Sequence, residues 1–148
     1  MTEANDAANA AATDAAYPAA RIFLTGGSGY VGRNLIRHFV GRGVAVTALA
    51  RSSKSERVVA ELGATAVAGD LLRADLAGAM TGCDVLIHAA ADTDHGPGTP
   101  SQQQVNEEGT RAVFAAARTA GIGRAIQLST ESVLADGHPL IDVDERHA

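Results

Sequence analysis

The residues of this chain best suited to hold a charged ligand form one run, Thr25-Gly26-Gly27-Ser28-Gly29-Tyr30-Val31-Gly32. Its glycines satisfy two spacings together. Gly27, Gly29 and Gly32 read as G-x-G-x-x-G, and Gly26, Gly29 and Gly32 read as G-x-x-G-x-x-G. Apolar Ile22 to Leu24 precede the run and an amphipathic stretch follows it, so the turn lies where a strand hands over to a helix, the context that gives the pattern its meaning. A tight turn and a backbone that comes close to a ligand both need residues without a Cβ. The helix that follows offers unpaired N–H groups and the positive end of its dipole to an anion. The chemistry this implies is capture of a pyrophosphate, with Gly26, Gly27, Ser28, Gly29, Tyr30, Val31 and Gly32 as the cofactor turn of a dinucleotide site.

A second signal lies near the end of the next strand. A site that prefers NAD carries an acidic residue there for the ribose hydroxyls, about 20 residues beyond the glycine turn. Here that position is Ala50, followed by Arg51, Ser52 and Ser53. A guanidinium with nearby hydroxyls suits a phosphate, so the reading favours NADP through Arg51 and Ser52, with NAD as the alternative. Arg33 and Arg57 are further candidates for the same phosphate.

These residues need elements to position them, and the pattern supplies alternating strands and helices. Ile22–Thr25, Val44–Ala50, Thr65–Ala68, Val85–Ala90 and Ala125–Ser129 read as strands. Helices are expected over Val31–Arg42, with Val31, Leu35, Phe39 and Val40 on its inner face, over Ser55–Leu62, over Leu72–Met80 and over Ser101–Ala120. Gly43, Gly63, Gly82 and Gly121 follow the helices as stops. The expected fold is α/β, a doubly wound parallel sheet of about five strands in the order 3-2-1-4-5, since right-handed crossovers leave few alternatives. An Ala-rich leader over 1–20 reads as disordered, 21–133 as the dinucleotide-binding domain, and 134–148 as an irregular tail.

Several further stretches, taken in order with the glycine turn, resemble the extended short-chain dehydrogenases/reductases, the NAD-dependent epimerase/dehydratase family. Gly69-Asp70-Leu71 is similar to the family's adenine-contacting turn, and His88-Ala89-Ala90-Ala91 to the strand end that lies along the cofactor. Val105-Asn106-Glu107-Glu108-Gly109-Thr110 is similar to the V-N-x-x-G-T helix motif, and Ser129-Thr130-Glu131-Ser132-Val133 to the S-[ST]-x-x-V segment after strand five. The resemblance implies cofactor contacts from Asp70, Leu71, Ala89, Ala90, Ala91 and Asn106. It makes Thr130 the catalytic hydroxyl position. It also implies a Y-x-x-x-K pair that these 148 residues do not contain: Tyr17 and Tyr30 are the two tyrosines and Lys54 is the single lysine. Some residues have plainer readings. Asp70 can cap the helix after it, His88 reads as a packed imidazole, and Asn106 within a helix suggests a side-chain or backbone hydrogen bond, with a solvent-facing position as the alternative.

Composition narrows the function classes. A net charge of −5 without a basic block argues against nucleic acid, and no apolar run is long enough for a membrane span. Cys83 is the single cysteine and the five histidines share no metal spacing, so neither a disulfide nor a metal is expected and the compartment reads as cytoplasmic. The reading expected is the NAD(P)-binding portion of an oxidoreductase or epimerase, truncated before the rest of the family fold and inactive alone. It would act on a small-molecule carbonyl or alcohol by hydride transfer. A regulatory or redox-sensing NAD(P) module and a subunit completed by another chain are the alternatives. An exposed fifth strand would favour a homo-oligomer.

Overall fold

The structure is a computed structural model and describes residues 20–93 and 98–134, together with 137, 141, 144 and 146. Most of the expected leader and much of the expected tail lie outside the described residues. Five parallel strands form one sheet: β1 (Arg21–Thr25), β2 (Ala45–Ala50), β3 (Thr65–Ala68), β4 (Val85–His88) and β5 (Arg124–Gln127). Their order is β3-β2-β1-β4-β5, as the sequence implies. The helices are α1 (Tyr30–Val40), α2 (Ser53–Glu61), α3 (Leu76–Ala79), α4 (Pro100–Gln103) and α5 (Gly109–Thr119). A π-type turn over Gln104–Glu108 joins α4 to α5, and a 3-10 turn over Glu131–Leu134 follows β5.

Both faces of the sheet are covered, so its central strands are apolar along their length rather than alternating. Ile22 and Leu24 of β1 pack with Ile36 of α1 and Val59 of α2 on one face. Phe23 between them points to the other face and joins Leu76 and Met80 with Val113 and Ala117 of α5. Ile36 is fully buried, whereas Val31 is 45% exposed. This corrects the inner face expected for α1. The buried stripe runs through Gly32 and Ile36, with Leu35, Phe39 and Val40 partly buried, and a glycine in the stripe hides it from a hydrophobic count.

Two other expectations change. The helix expected from Leu72 begins at Leu76, where the Asp75 side chain caps it by accepting from the Gly78 N–H at 2.9 Å. Residues 70–74 form a turn instead, because the Asp70 carbonyl accepts from both Arg73 and Ala74 N–H groups. The single helix expected over Ser101–Ala120 is interrupted, since the Gly109 N–H bonds to the Gln104 carbonyl five residues back. Among the described residues β5 pairs with β4 alone, and its four residues are exposed, Ile126 by 46%.

Candidate functional site

Parallel strands direct their C-terminal ends to one edge, and the loops leaving β1, β2, β3 and β4 meet there around a cleft of about 690 Å³. Thr25, Gly26, Ser28 and Gly29 come from the first loop, Ala50, Arg51 and Ser55 from the second. Gly69, Asp70, Leu71, Leu72 and Arg73 come from the third, and Ala89, Ala90 and Ala91 from the fourth.

Each glycine of the turn answers a different demand. Gly26 has φ +74°, and a Cβ there would stand 2.6 Å from the Ala89 carbonyl carbon and oxygen, so it lets β1 and β4 close together. Gly27 is buried between Ala48, Val59 and Ile36, each within 3.3 Å of where a Cβ would lie. Gly32 seats α1 on the turn, for a Cβ would lie 2.6 Å from the Gly27 Cα. Gly29 differs. Its φ of −74° and ψ of 176° suit any residue, and a Cβ would meet only the Gly26 carbonyl oxygen, at 3.3 Å. Its lack of a side chain is thus explained by the space beside it. The first i→i−4 bond of α1 is Arg33 N–H to Gly29 C=O, and no side chain caps the helix. The Tyr30, Val31 and Gly32 N–H groups therefore remain for a ligand. These features fit a pyrophosphate.

Behind the turn lies a chain of hydrogen bonds whose directions follow from one another. The Thr110 hydroxyl donates to the Asn106 carbonyl at 2.7 Å, so it accepts from His88 Nε2–H at 3.0 Å. With its proton on Nε2, neutral His88 accepts at Nδ1 from the Thr25 hydroxyl. Thr25 Oγ1 in turn accepts from the Ala90 N–H at 3.3 Å. Thr25 and His88 are fully buried, and burial holds the imidazole below its ordinary pKa. His88 is therefore a neutral brace tying β1, β4 and α5 together beneath the cleft, in line with the packed imidazole read from sequence.

The V-N-x-x-G-T stretch supplies the remaining support. Asn106 accepts from the Asp92 N–H at 2.7 Å and donates to the Asp92 carbonyl at 2.9 Å, which pins the chain leaving β4. Gly109 is buried against Leu71, whose Cδ1 would lie 3.0 Å from an added Cβ. Asn106 lies within the π-type turn and Gly109 closes it, and such turns are frequent at functional sites.

The sequence-derived candidates divide accordingly. Gly26, Ser28, Gly29, Arg51, Asp70, Leu71, Ala89, Ala90 and Ala91 line the cleft. Gly27 and Gly32 build the turn from behind, and the side chains of Tyr30 and Val31 are exposed at the start of α1. The Ser52 hydroxyl caps α2 by accepting from the Ser55 N–H, and Ser55 rather than Ser52 faces the cleft. Asp70 Oδ1 accepts from the Leu72 N–H at 2.9 Å, and its second oxygen has no hydrogen-bond partner among the described residues. Asn106 acts on the backbone of Asp92, and Thr130 opens the 3-10 turn beyond β5, outside the cleft lining. Arg33 and Arg57 do not line it either. Sequence reasoning missed Arg73, which no motif marks, and the Thr25–His88–Thr110 chain. The polar ends of two otherwise apolar strands were the signal for that chain. Among the described residues, no three His, Cys, Asp or Glu side chains gather as metal ligands, and no helix is long and apolar enough to cross a membrane.

A ketoreductase from Stigmatella aurantiaca that acts on 4-hydroxy-2-methyl-3-oxo-4-farnesyl-3,4-dihydroquinoline-1-oxide is 50% identical over 128 residues, covering 86% of this chain and 38% of that protein. A putative dihydroflavonol 4-reductase from Synechocystis is 40% identical over 113 residues, covering 76% of this chain and 33% of the relative. The chain thus spans less than two fifths of the length of either. The Bordetella bronchiseptica enzyme WbmG, solved in complex with NAD, superposes with a TM-score of 0.68 at 26% identity, over 82% of this chain and 40% of that one. The model of the NAD dependent epimerase/dehydratase family matches residues 22–148, and with the cleft and its glycine turn this places the chain in that family.

Proposed function

We propose that this chain forms the NADP(H)-binding portion of an oxidoreductase that interconverts a ketone and an alcohol. The observation that carries the reading is the end of β2. Ala50 is 2% exposed and lines the cleft where a carboxylate would receive the ribose hydroxyls of NAD, and Arg51 follows it into the same cleft. No acidic side chain pairs with Arg51 among the described residues. A guanidinium left without a partner in a cleft is suited to an anion, and the 2′-phosphate is the anion that distinguishes NADP from NAD. The named activities of the two relatives, a ketoreductase and a 4-reductase, support reduction of a carbonyl.

When bound, the nicotinamide supplies or accepts the hydride. The residues in hand do the holding. The glycine turn and the N-terminus of α1 take the pyrophosphate, Arg51 and Ser55 the ribose phosphate, and Asp70 the adenine side. Thr130, on the same edge of the sheet, is the candidate to hydrogen-bond the substrate oxygen. A hydroxyl alone is a poor proton donor at neutral pH without a tyrosine and a cation beside it. These 148 residues contain no Y-x-x-x-K, so the proposal gives them cofactor binding and positioning rather than proton transfer.

The test is the double substitution Ala50→Asp with Arg51→Asn. A carboxylate accepts from ribose hydroxyls and repels the phosphate, so the ratio of NADPH to NADH affinity should fall by about tenfold or more and reverse. A ratio left unchanged in a folded double variant would remove the end of β2 from the site.

A further inference from the structure

Two arginines line the cleft from the neighbouring loops after β2 and β3, and the NADP(H) reading uses one of them. Arg51 follows β2 and Arg73 belongs to the turn after β3, and these strands are neighbours in register, Ala50 opposite Ala68. Neither arginine pairs with an acidic side chain among the described residues. The turn that carries Arg73 is fixed at several points. The Asp70 side chain accepts from Leu72 N–H, the Asp70 carbonyl accepts from Arg73 and Ala74, and Gly69 at φ +156° folds the chain back until an added Cβ would lie 2.6 Å from the Ala74 Cβ. Arg73 is thus held at the cleft by backbone geometry rather than by an ion pair.

From this arrangement we infer that Arg73 is a second phosphate-binding, specificity-determining residue, forming with Arg51 a two-arginine clasp for the 2′-phosphomonoester of the cofactor. The inference rests on the NADP(H) reading above and extends it to a residue on another loop. A phosphomonoester carries a charge of about −1.5 to −2 near neutral pH, so a single guanidinium leaves it partly uncompensated while two match it. The planar fork of each arginine binds phosphate oxygens in pairs, which fixes the phosphate between the two loops as well as neutralising it. Ser55 lines the same cleft, its hydroxyl 3.0 Å from that of Ser52. A cofactor without the phosphate gains nothing from Arg73, so the residue bears on selectivity rather than on dinucleotide affinity as such.

The experiment titrates the purified chain and its Arg73→Gln, Arg73→Lys and Arg51→Gln variants with NADPH, NADH and adenosine 2′,5′-bisphosphate, with folding checked by circular dichroism. Arg73→Gln should weaken NADPH and the bisphosphate by about tenfold and leave NADH unchanged. Arg73→Lys, which keeps the charge but loses the fork, should fall between the parent and Arg73→Gln. Equal losses for NADPH and NADH would show that Arg73 meets the adenine instead and would overturn the inference, as would unchanged affinities throughout. If Arg51→Gln erases the NADPH preference while Arg73→Gln keeps it, the second clasp fails and the NADP(H) reading stands. A parent with no NADPH preference would overturn both.

Discussion

Gly29→Val is the substitution in which fold and binding should separate most cleanly. The backbone of Gly29 lies in the extended region, and an added Cβ meets one neighbour, the Gly26 carbonyl oxygen at 3.3 Å, a contact relieved by a shift of a few tenths of an ångström. Restricting the unfolded chain by losing a glycine favours folding by about 0.4–1 kcal/mol, which offsets that contact and the modest loss at an N-cap position. Stability should therefore change by less than about 1 kcal/mol. Gly26→Val is the contrast, because φ of +74° alone costs about 1–2 kcal/mol and its Cβ would overlap the Ala89 backbone. Binding behaves differently, since the branched side chain at Gly29 occupies the approach to the unpaired N–H groups of α1. Exclusion of the pyrophosphate should cost at least about 2.7 kcal/mol, or a hundredfold in affinity. Urea unfolding and calorimetric titration with NADPH measure the two halves. A folded Gly29→Val variant that binds as the parent does would remove the glycine turn from the site.

Further outcomes follow from the support behind the cleft. Burial keeps the folded-state pKa of His88 below its ordinary value, so the native chain binds fewer protons there than the unfolded chain does. Its contribution is fully present above the unfolded pKa of about 6.5 and is lost as pH falls from there through the lower folded value. Denaturation midpoints should drop across that window in the parent and drop less in His88→Gln, and equal slopes would contradict the neutral brace. Asn106→Ala removes both bonds to Asp92 and should cost about 1–3 kcal/mol, with faster amide exchange at Asp92 and weaker cofactor binding. Unchanged exchange at that amide would show that the latch is dispensable.

The sheet order and the glycine turn were legible because they rest on local signals. Apolar runs such as Ile22–Leu24 and Leu86–Ile87 are buried on both faces and read as central strands, and Gly26 to Gly32 stand at a strand-to-helix junction. What sequence did not reveal depends on contacts between distant segments. The inner face of α1 passes through Gly32, whose close packing on Gly27 contributes nothing to a hydrophobic pattern. The start of α3 was misplaced because the Asp70 turn, which sequence reads as a cap, closes on itself before Asp75 caps the helix. The π-type turn depends on a bond from Gly109 to Gln104 that no residue type announces, and Thr110's place in the His88 chain was hidden with it, whereas the hydrogen bond expected of Asn106 is present. Arg73 carries no motif, and its place beside Arg51 emerges only from the pairing of β2 with β3.

On the NADP(H) reading, this cleft selects a dinucleotide by a phosphate at its β2 end. The most direct measurement is calorimetric titration of the parent chain with NADPH and with NADH at one ionic strength, repeated at higher salt. An exposed arginine site for a phosphate predicts tighter binding of NADPH by about tenfold or more, with the advantage shrinking as salt rises. Equal affinities, or tighter binding of NADH at low salt, would contradict it.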